Sequence, residues 1–147
     1  MQKLDCIIIG AGFSGLYQLH CLRDKLKLNT LVIEEGKDIG GTWYWNTYPG
    51  ARCDSESFTY GFTFSEKIFK NWTWKERYPK QNVILKYLKY FSNELKLKKN
   101  IVFNEKVISA KYIEKNNLWK VQTNNKKKYY TKYLICAVGS LLSLIHI

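Results

Sequence analysis

The stretch CIIIGAGFSG, Cys6–Gly15, decides the fold of this chain. Its apolar start is rich in Ile and predicts a buried strand, a glycine turn follows directly, and a helical pattern comes next. A GxGxxG turn between a strand and a helix is the context in which this motif indicates dinucleotide binding. Gly10 permits the tight turn, Gly12 lets the backbone approach a pyrophosphate, and Gly15 lets the helix pack on the strand. The sequence therefore predicts an α/β fold that begins with a dinucleotide-binding unit.

Length and charge set the first limits on what this chain can be. Its 147 residues suffice for one domain with a buried core, and no linker or repeat divides them. The 24 basic residues exceed the 12 acidic ones, which gives a net charge of +12. The lysines are spread along the chain, however, and the dense run Lys126–Lys128 is typical of a solvated hairpin turn. We therefore expect no nucleic-acid partner, whereas a polyanionic dinucleotide is compatible with this charge.

The cysteines and the N-terminal stretch indicate a reduced, cytoplasmic protein. Cys6 and Cys136 lie in apolar strand patterns and Cys21 in a helical one, where small buried thiols are common. Together with Cys53 they show neither a CxxC motif nor metal-ligand spacing, so no metal site is predicted. Asp5 interrupts the N-terminal stretch, which argues against a secretory signal. No stretch reaches the roughly 20 apolar residues of a transmembrane helix, so no membrane span is expected.

Two segments continue the α/β pattern after the glycine turn. Apolar residues recur at helical spacing from Ser14 to Leu26, and Asn29 to Ile33 forms a second apolar strand. Glu34 ends this strand at about the 20-residue distance from Gly15 at which an acidic side chain accepts the ribose hydroxyls of a dinucleotide. A pair of surface charges is the simpler interpretation of Glu34 and Glu35. The preceding glycine turn favours the interpretation that an acidic side chain binds the ribose. Glu34 is a better candidate for this role than Glu35, because it lies at the end of the strand.

The segment from Gly36 to Asp54 has an unusual composition for a loop. It shows no helical or strand period and contains two Trp, two Tyr, four Gly and one Pro. Aromatic side chains are costly to leave in water, so we expect this loop to line a site; the alternative is a loop that only plugs its own core. Further along, aromatic residues alternate with Thr and Gly from Phe58 to Phe64, which predicts a short extended segment.

The second half of the chain predicts one long helix and then four short strands. After Pro79, apolar residues at helical spacing predict a helix with a buried stripe. The stripe comprises Ile84, Tyr87, Leu88, Phe91 and Leu95. The predicted strands are Ile101–Phe103, Lys106–Ile113, Leu118–Thr123 and Tyr129–Val138. Three of them should form an antiparallel meander, and the last should return to the parallel sheet and bring Gly139 to the cofactor end of the strands.

One stretch of the loop carries a long and specific resemblance. The sequence GGTWYWNTYPGARCD, Gly40–Asp54, resembles the loop that follows the FAD-binding turn in Baeyer–Villiger monooxygenases, which are class B flavin monooxygenases. The resemblance continues through Asp54–Ser57, Phe64–Glu66, Trp72, Glu76–Tyr78 and Ala137–Gly139. It implies a Rossmann-like FAD-binding domain with a parallel sheet, an inserted helical segment and an antiparallel β-meander. Residues 1–140 are then the N-terminal part of this domain, and residues 141–147 are expected to be a tail outside the family pattern.

The resemblance also implies which residues meet the two cofactors. For FAD they are Gly10, Gly12, Ser14 and Gly15 at the diphosphate, Glu34 at the adenosine ribose, Gly41, Thr42, Trp43, Tyr44 and Trp45 along the flavin, Asp54 and Tyr60 near its reactive ring, and Val107 at the adenine. For NADPH they are Arg52, Cys53 and Asp54. Asp54 is the expected supporting catalytic residue, because a carboxylate there orients the cationic group that stabilises the oxygenated flavin. The main catalytic Arg is expected outside this chain.

The reaction that the resemblance implies follows from these cofactors. NADPH reduces FAD, the reduced flavin takes up O₂, and a C4a-peroxyflavin inserts one oxygen atom into a ketone to give an ester or a lactone. The second glycine turn of the family, which holds NADPH, is not among these 147 residues, so the chain alone is expected to be inactive. A flavin monooxygenase that oxygenates nitrogen or sulfur is the main alternative, and another FAD-dependent oxidoreductase is a further one.

Overall fold

The computed structural model describes residues 4–140, which form a six-stranded sheet with helices packed on it. The strands are β1 (Leu4–Ile9), β2 (Thr30–Ile33), β3 (Ile101–Val102), β4 (Val107–Ile113), β5 (Leu118–Thr123) and β6 (Lys128–Cys136). The helices are α1 (Phe13–His20), α2 (Thr42–Trp45), α3 (Glu66–Lys70) and α4 (Gln81–Glu94). The tail expected at residues 141–147 lies outside the described residues.

The sheet combines a parallel half with an antiparallel half, in the strand order β3-β2-β1-β6-β5-β4. β1 runs parallel to both β2 and β6, and β2 runs parallel to β3. β4 and β5 pair antiparallel, as do β5 and β6. The predicted parallel sheet is therefore confirmed, and helices α2, α3 and α4 lie in the chain between β2 and β3.

Strand β6 belongs to both halves of the sheet. Thr131 stands opposite Leu4 in the parallel ladder with β1 and opposite Trp119 in the antiparallel ladder with β5. Further along, Cys136 aligns with Ile9 at the end of β1. The return of the last strand to the parallel sheet, predicted from its apolar character, is thus confirmed.

Helix α1 follows the glycine turn at the predicted place but ends differently. Its α-helical part stops at His20, and a wider π-helical turn, Cys21–Lys25, completes the segment that the apolar spacing predicts as one helix. Leu16 and Leu19 are fully buried against the sheet, as a 3.6-residue period requires.

Two local predictions are wrong. The loop after Gly36 contains the one-turn helix α2. The sequence does not predict this helix, because four residues are too few to show a helical period. The segment from Phe58 to Phe64 is not a strand but a turn followed by bends. Its alternation instead reflects packing on one side, since the rings of Tyr60 and Phe62 lie 5.0 Å and 5.2 Å from that of Phe13 on α1.

The core forms on both faces of the parallel strands. On one face, the predicted α4 stripe packs with Cys6, Ile8 and α1, and Ile84, Leu88 and Phe91 are completely buried. On the other face, Ile7 packs with Val121 of β5. Full burial of one large apolar side chain stabilises a fold by about 1.5–3 kcal/mol, so the helix stripe is a major contribution.

Two further expectations concern the burial of the cysteines and the lack of a membrane-spanning helix. Cys6 and Cys53 are buried and all four cysteines are free, but Cys136 is exposed, contrary to the expectation for an apolar strand. It is exposed because it ends β6 at the edge of a cavity. Among residues 4–140, none of the helices has the length and apolar character that crossing a membrane requires.

Candidate functional site

A cavity of about 730 Å³ opens at the carboxyl ends of the parallel strands. Ile9, Ile33 and Cys136, which end β1, β2 and β6, all line it. This is the edge at which open parallel sheets bind their ligands, on either side of the first strand. The sequence-predicted FAD residues that line the cavity are Gly10, Gly12, Ser14, Glu34, Gly41, Thr42, Trp43, Trp45, Tyr60 and Val107.

The glycine turn at the base of this cavity is closely packed. Gly10 has a φ of 100°, and a Cβ built on it would lie 2.5 Å from the carbonyl oxygen of Ala137. A Cβ on Gly15 would lie 1.9 Å from the carbonyl oxygen of Gly10, so α1 touches the end of β1 through backbone atoms alone. The sequence-based roles of these two glycines, a tight turn and close packing between helix and strand, are confirmed. Gly15 itself does not line the cavity.

The glycine turn meets the aromatic loop through a second pair of glycines. A Cβ on Gly41 would lie 2.9 Å from Cα of Gly12, and Gly41 has a φ of 55°. Nearby, the N–H group of Gly40 donates to the carbonyl of Ala11 across 3.0 Å. Two segments far apart in sequence therefore form one continuous wall at this end of the cavity.

The start of α1 is suited to an anion. Gly12 precedes the helix and supplies no side-chain cap, and Gly12, Phe13 and Ser14 all line the cavity. The first N–H groups of a helix have no partner within the helix, and they carry the positive end of its dipole. A phosphate group in the cavity would satisfy them.

Glu34 connects the glycine turn to the end of β2. Its side chain is buried, with 5% exposure, and one carboxylate oxygen accepts a hydrogen bond from the N–H group of Ala11 across 2.6 Å. The other oxygen accepts from the N–H group of Gly36 across 2.7 Å. Each oxygen keeps a second lone pair, so the carboxylate can still accept from a hydroxyl. Glu35, by contrast, is exposed and pairs with Lys106 across 3.0 Å.

Aromatic side chains form a further part of the cavity lining, which we call the aromatic wall. The indole N–H group of Trp43 donates to the hydroxyl oxygen of Tyr60 across 3.1 Å, and both side chains line the cavity beside Trp45. Burial raises the pKa of Tyr60, although the hydrogen bond from Trp43 opposes the rise, so the hydroxyl is neutral at physiological pH. Tyr44 faces elsewhere: it does not line the cavity, and its hydroxyl accepts from the N–H group of Lys37 across 3.2 Å.

Side-chain amides hold the short helix α2 in place. The amide of Asn46 donates to the carbonyl of Thr42 across 2.9 Å, and the amide of Gln81 donates to the carbonyl of Trp43. The carbonyl of Thr42 also accepts from the backbone N–H group of Asn46 across 3.0 Å, whereas the carbonyl of Trp43, in the last turn of the helix, obtains its partner from Gln81. Sequence reasoning missed Gln81, because a polar residue at the start of a helix carries no signal that it reaches a distant loop.

The three residues predicted to meet NADPH do not line this cavity. Arg52 donates to Glu76 and to the carbonyl of Tyr78, across 2.9 Å and 2.6 Å, at a separate groove of about 380 Å³. Cys53 is buried, and its N–H group donates to the carbonyl of Pro79 across 2.9 Å. Asp54 is exposed, and its charge contributes to the raised pKa of Tyr60.

The end of the cavity near Val107 contains a carboxylate that sequence reasoning also missed. Glu105 is buried, with 1% exposure, and accepts hydrogen bonds from Lys127 and from the hydroxyl of Tyr129, each across 2.8 Å. Burial alone would raise the pKa of Glu105, but these bonds outweigh it and the pKa lies below the usual value. Its N–H group donates to the carbonyl of Glu34 across 3.0 Å. A single acidic residue before a strand gives no signal in the sequence that it will be buried at the edge of a cavity.

These groups together fit an elongated nucleotide cofactor with a flat ring system. The start of α1 suits phosphate, the Glu34 carboxylate suits ribose hydroxyls, and the Trp43–Trp45 wall suits a planar aromatic ring. The chemistry of these three parts of the cavity is thus consistent with FAD.

Comparisons with known proteins also point to a flavin-dependent enzyme family. A family model described as pyridine nucleotide-disulphide oxidoreductase matches residues 7–142. A Baeyer–Villiger monooxygenase of Pseudooceanicola batsensis is 41% identical over 137 residues, which cover 93% of this chain and 25% of that protein. An FAD-binding monooxygenase of Aspergillus aculeatus is 42% identical over 137 residues, with 93% and 23% covered.

A solved structure extends the similarity to three dimensions. A cyclohexanone monooxygenase variant from Rhodococcus sp. Phi1, bound to NADP⁺, has a TM-score of 0.93 and 40% identity to this chain. The match covers 96% of this chain and 27% of that one, so the chain spans about a quarter of the length of its relatives. The resemblance to Baeyer–Villiger monooxygenases is confirmed, and the chain belongs to the pyridine nucleotide-disulphide oxidoreductase family.

Proposed function

We propose that this chain is the FAD-binding portion of an NADPH-dependent flavin monooxygenase that inserts one oxygen atom of O₂ into a ketone to give an ester or a lactone. The observation that carries the proposal is the single cavity that joins an uncapped helix start, a buried carboxylate and an aromatic wall. When bound, FAD would supply the transfer of electrons from NADPH to oxygen. The complete activity belongs to a longer protein, because the chain spans about a quarter of its relatives.

The residues of this chain would bind and orient the flavin cofactor. Gly12 and Ser14 would receive its diphosphate, and Glu34 its ribose. Thr42, Trp43, Trp45 and Tyr60 would face the flavin ring, and the backbone of Val107 the adenine. Trp43 and Tyr60, which are hydrogen-bonded to each other, would also help to keep water from the ring.

We propose that NADPH approaches at the Arg52–Asp54 segment. Arg52 and Asp54 are exposed and would meet the nicotinamide cofactor, with the buried Cys53 between them. Asp54 would act as a supporting carboxylate for a cationic group supplied by the rest of the enzyme. The four free cysteines support a reducing compartment, and we propose the cytoplasm.

Titration of the chain with FAD tests the proposed cofactor site. We expect the wild-type chain to quench flavin fluorescence on binding, and Glu34→Gln to weaken binding by about tenfold or more, because a charged acceptor for hydroxyls is lost. Glu35→Gln is the matched control, since Glu35 is exposed and pairs only with Lys106 among the described residues. Equal affinities of the two variants, or no binding by the wild type, would contradict the proposed site.

The reaction itself needs the full-length protein. With NADPH, a cyclic ketone and ¹⁸O₂, we expect ketone-stimulated oxidation of NADPH and a lactone that carries one labelled oxygen. A labelled N-oxide or sulfoxide from amine or sulfide substrates, without lactone, would instead support the nitrogen- or sulfur-oxygenating alternative. Hydrogen peroxide without any labelled product would indicate an oxidase.

A further inference from the structure

The short helix α2 depends on residues outside it. It has only four residues, and an isolated turn of this length is unstable in water because helix nucleation is unfavourable. Its N–H groups are satisfied nearby: those of Tyr44 and Trp45 donate to the carbonyl of Gly41 across 2.9 Å and 3.1 Å. The carbonyl of Trp43 accepts its hydrogen bond from Gln81, which lies on α4.

Gln81 also contacts the segment that follows α2. It is the first residue of α4, and its own N–H group donates to the carbonyl of Ala51 across 2.9 Å. Just before it in the chain, Lys80 forms an antiparallel bridge with Arg52, and the carbonyl of Pro79 accepts from the N–H group of Cys53. Gln81 thus bonds both to α2, through Trp43, and to Ala51, which directly precedes the Arg52–Asp54 segment.

We propose that Gln81 is a positioning residue for the cavity wall: its side-chain amide holds the Trp43 carbonyl, and its backbone holds Ala51, so that the two segments keep one relative placement. The part of this proposal that concerns the flavin rests on the proposed function. Gln81 does not line the main cavity, so it would act through Trp43 and not by direct contact with the cofactor.

The tie between Gln81 and α2 can be measured without any cofactor. Gln81→Met removes the amide donor at similar side-chain length, and Gln81→Glu keeps the shape but replaces the donor with an acceptor. Lys86→Met is the matched control, because Lys86 is exposed on the same helix and forms no ion pair within residues 4–140. We expect amide hydrogen exchange at Trp45 and Asn46 to become about tenfold faster in both Gln81 variants and to stay unchanged in Lys86→Met.

The positioning role is then tested by FAD titration of the same proteins. We expect the dissociation constant for FAD to rise about tenfold in the Gln81 variants, and their urea midpoints to stay close to that of Lys86→Met. Unchanged amide hydrogen exchange at Trp45 and Asn46 in a folded Gln81 variant would show that Gln81 does not stabilise α2. Faster exchange with unchanged FAD affinity would overturn the positioning role. Faster exchange in a chain whose wild type binds no FAD would support the tie and overturn the proposed function instead.

Discussion

Gly15 occupies a position that no larger side chain fits. A Cβ there would lie 1.9 Å from the carbonyl oxygen of Gly10, a backbone atom of the turn that joins β1 to α1. A side chain at this position would fit only if helix α1 moved away from the sheet. The position is therefore fixed by packing, independently of any ligand.

We predict that Gly15→Ala lowers the free energy of unfolding by at least about 2 kcal/mol, because of overpacking. Gly61→Ala is the control: its Cβ would meet its nearest neighbour, the hydroxyl of Tyr87, at an ordinary 3.4 Å. Urea denaturation followed by circular dichroism measures both. Similar midpoints for the two variants would contradict the close contact between helix and strand.

At the scale of elements, α1 and α4 are joined by one arginine. Arg23, in the π-helical turn after α1, donates to the carbonyl of Leu95 across 2.7 Å and to that of Lys96 across 3.2 Å, just past the end of α4. Asp24 holds the same guanidinium through two further hydrogen bonds. A cation at the C-terminal end of a helix also interacts favourably with the helix dipole.

We predict that Arg23→Met costs about 2 kcal/mol of stability, since hydrogen bonds from a charged donor to the helix end are lost. Arg77→Met provides the comparison, because Arg77 is exposed and pairs with Glu56 at the surface, where such pairs contribute about 0–1 kcal/mol. Chemical denaturation of both variants measures the difference. Equal losses would show that the Arg23 contacts contribute no more than a surface ion pair.

The meander is joined to the loop before β4 by the contact between Glu105 and Tyr129. Burial and the hydrogen bond to Glu105 raise the pKa of Tyr129 from 10.0 to about 12. A pKa that is higher in the folded state stabilises the fold below the unfolded value and loses that contribution as pH rises through the folded value. The contribution of Tyr129 should therefore disappear between about pH 10 and pH 12.

We predict that the free energy of unfolding of the wild type falls more steeply over this pH range than that of Tyr129→Phe. Denaturation by urea at a series of pH values gives both curves. Tyr130→Phe is a suitable control, because Tyr130 is its neighbour on the same strand. Parallel curves for the wild type and Tyr129→Phe would contradict a protonated, hydrogen-bonded Tyr129.

At the scale of the whole molecule, the cavity is open at its aromatic end. Trp45 lines the cavity and remains 45% exposed, so the residues described leave this wall in contact with water. Other large apolar side chains are exposed without lining the cavity, among them Leu26, Phe69, Tyr112 and Tyr133. Oxygenation by a flavin requires that water be kept from the reacting ring.

We predict that the 147-residue chain, supplied with FAD, NADPH, O₂ and a ketone, forms no ester or lactone. Gas chromatography of the reaction mixture checks this, with a full-length cyclohexanone monooxygenase as the positive control. Product above the level of a chain-free mixture would show that these residues suffice for turnover.

The parts of the structure that the sequence predicts are those with a local signal. The apolar runs of β1 and β2, the stripe on α4 and the spacing from Gly15 to Glu34 all depend on residues close together in the chain. Long-range contacts have no such signal. The bond from Gln81 to Trp43 and the burial of Glu105 arise only when distant segments fold together, and the exposure of Cys136 depends on what stands beside the end of its strand.

The double membership of β6 has a consequence for synthesis on the ribosome. β1 is made first, yet its ladder on one side waits for residues Lys128–Cys136, which follow the other five strands in the chain. Until then the nascent chain presents β1, with Ile7 and Ile8, as an open apolar edge, a form in which strands readily pair with other chains. The six-stranded sheet is therefore complete only after Lys128–Cys136 have been translated, and a nascent chain stalled before Lys128 should depend on a chaperone.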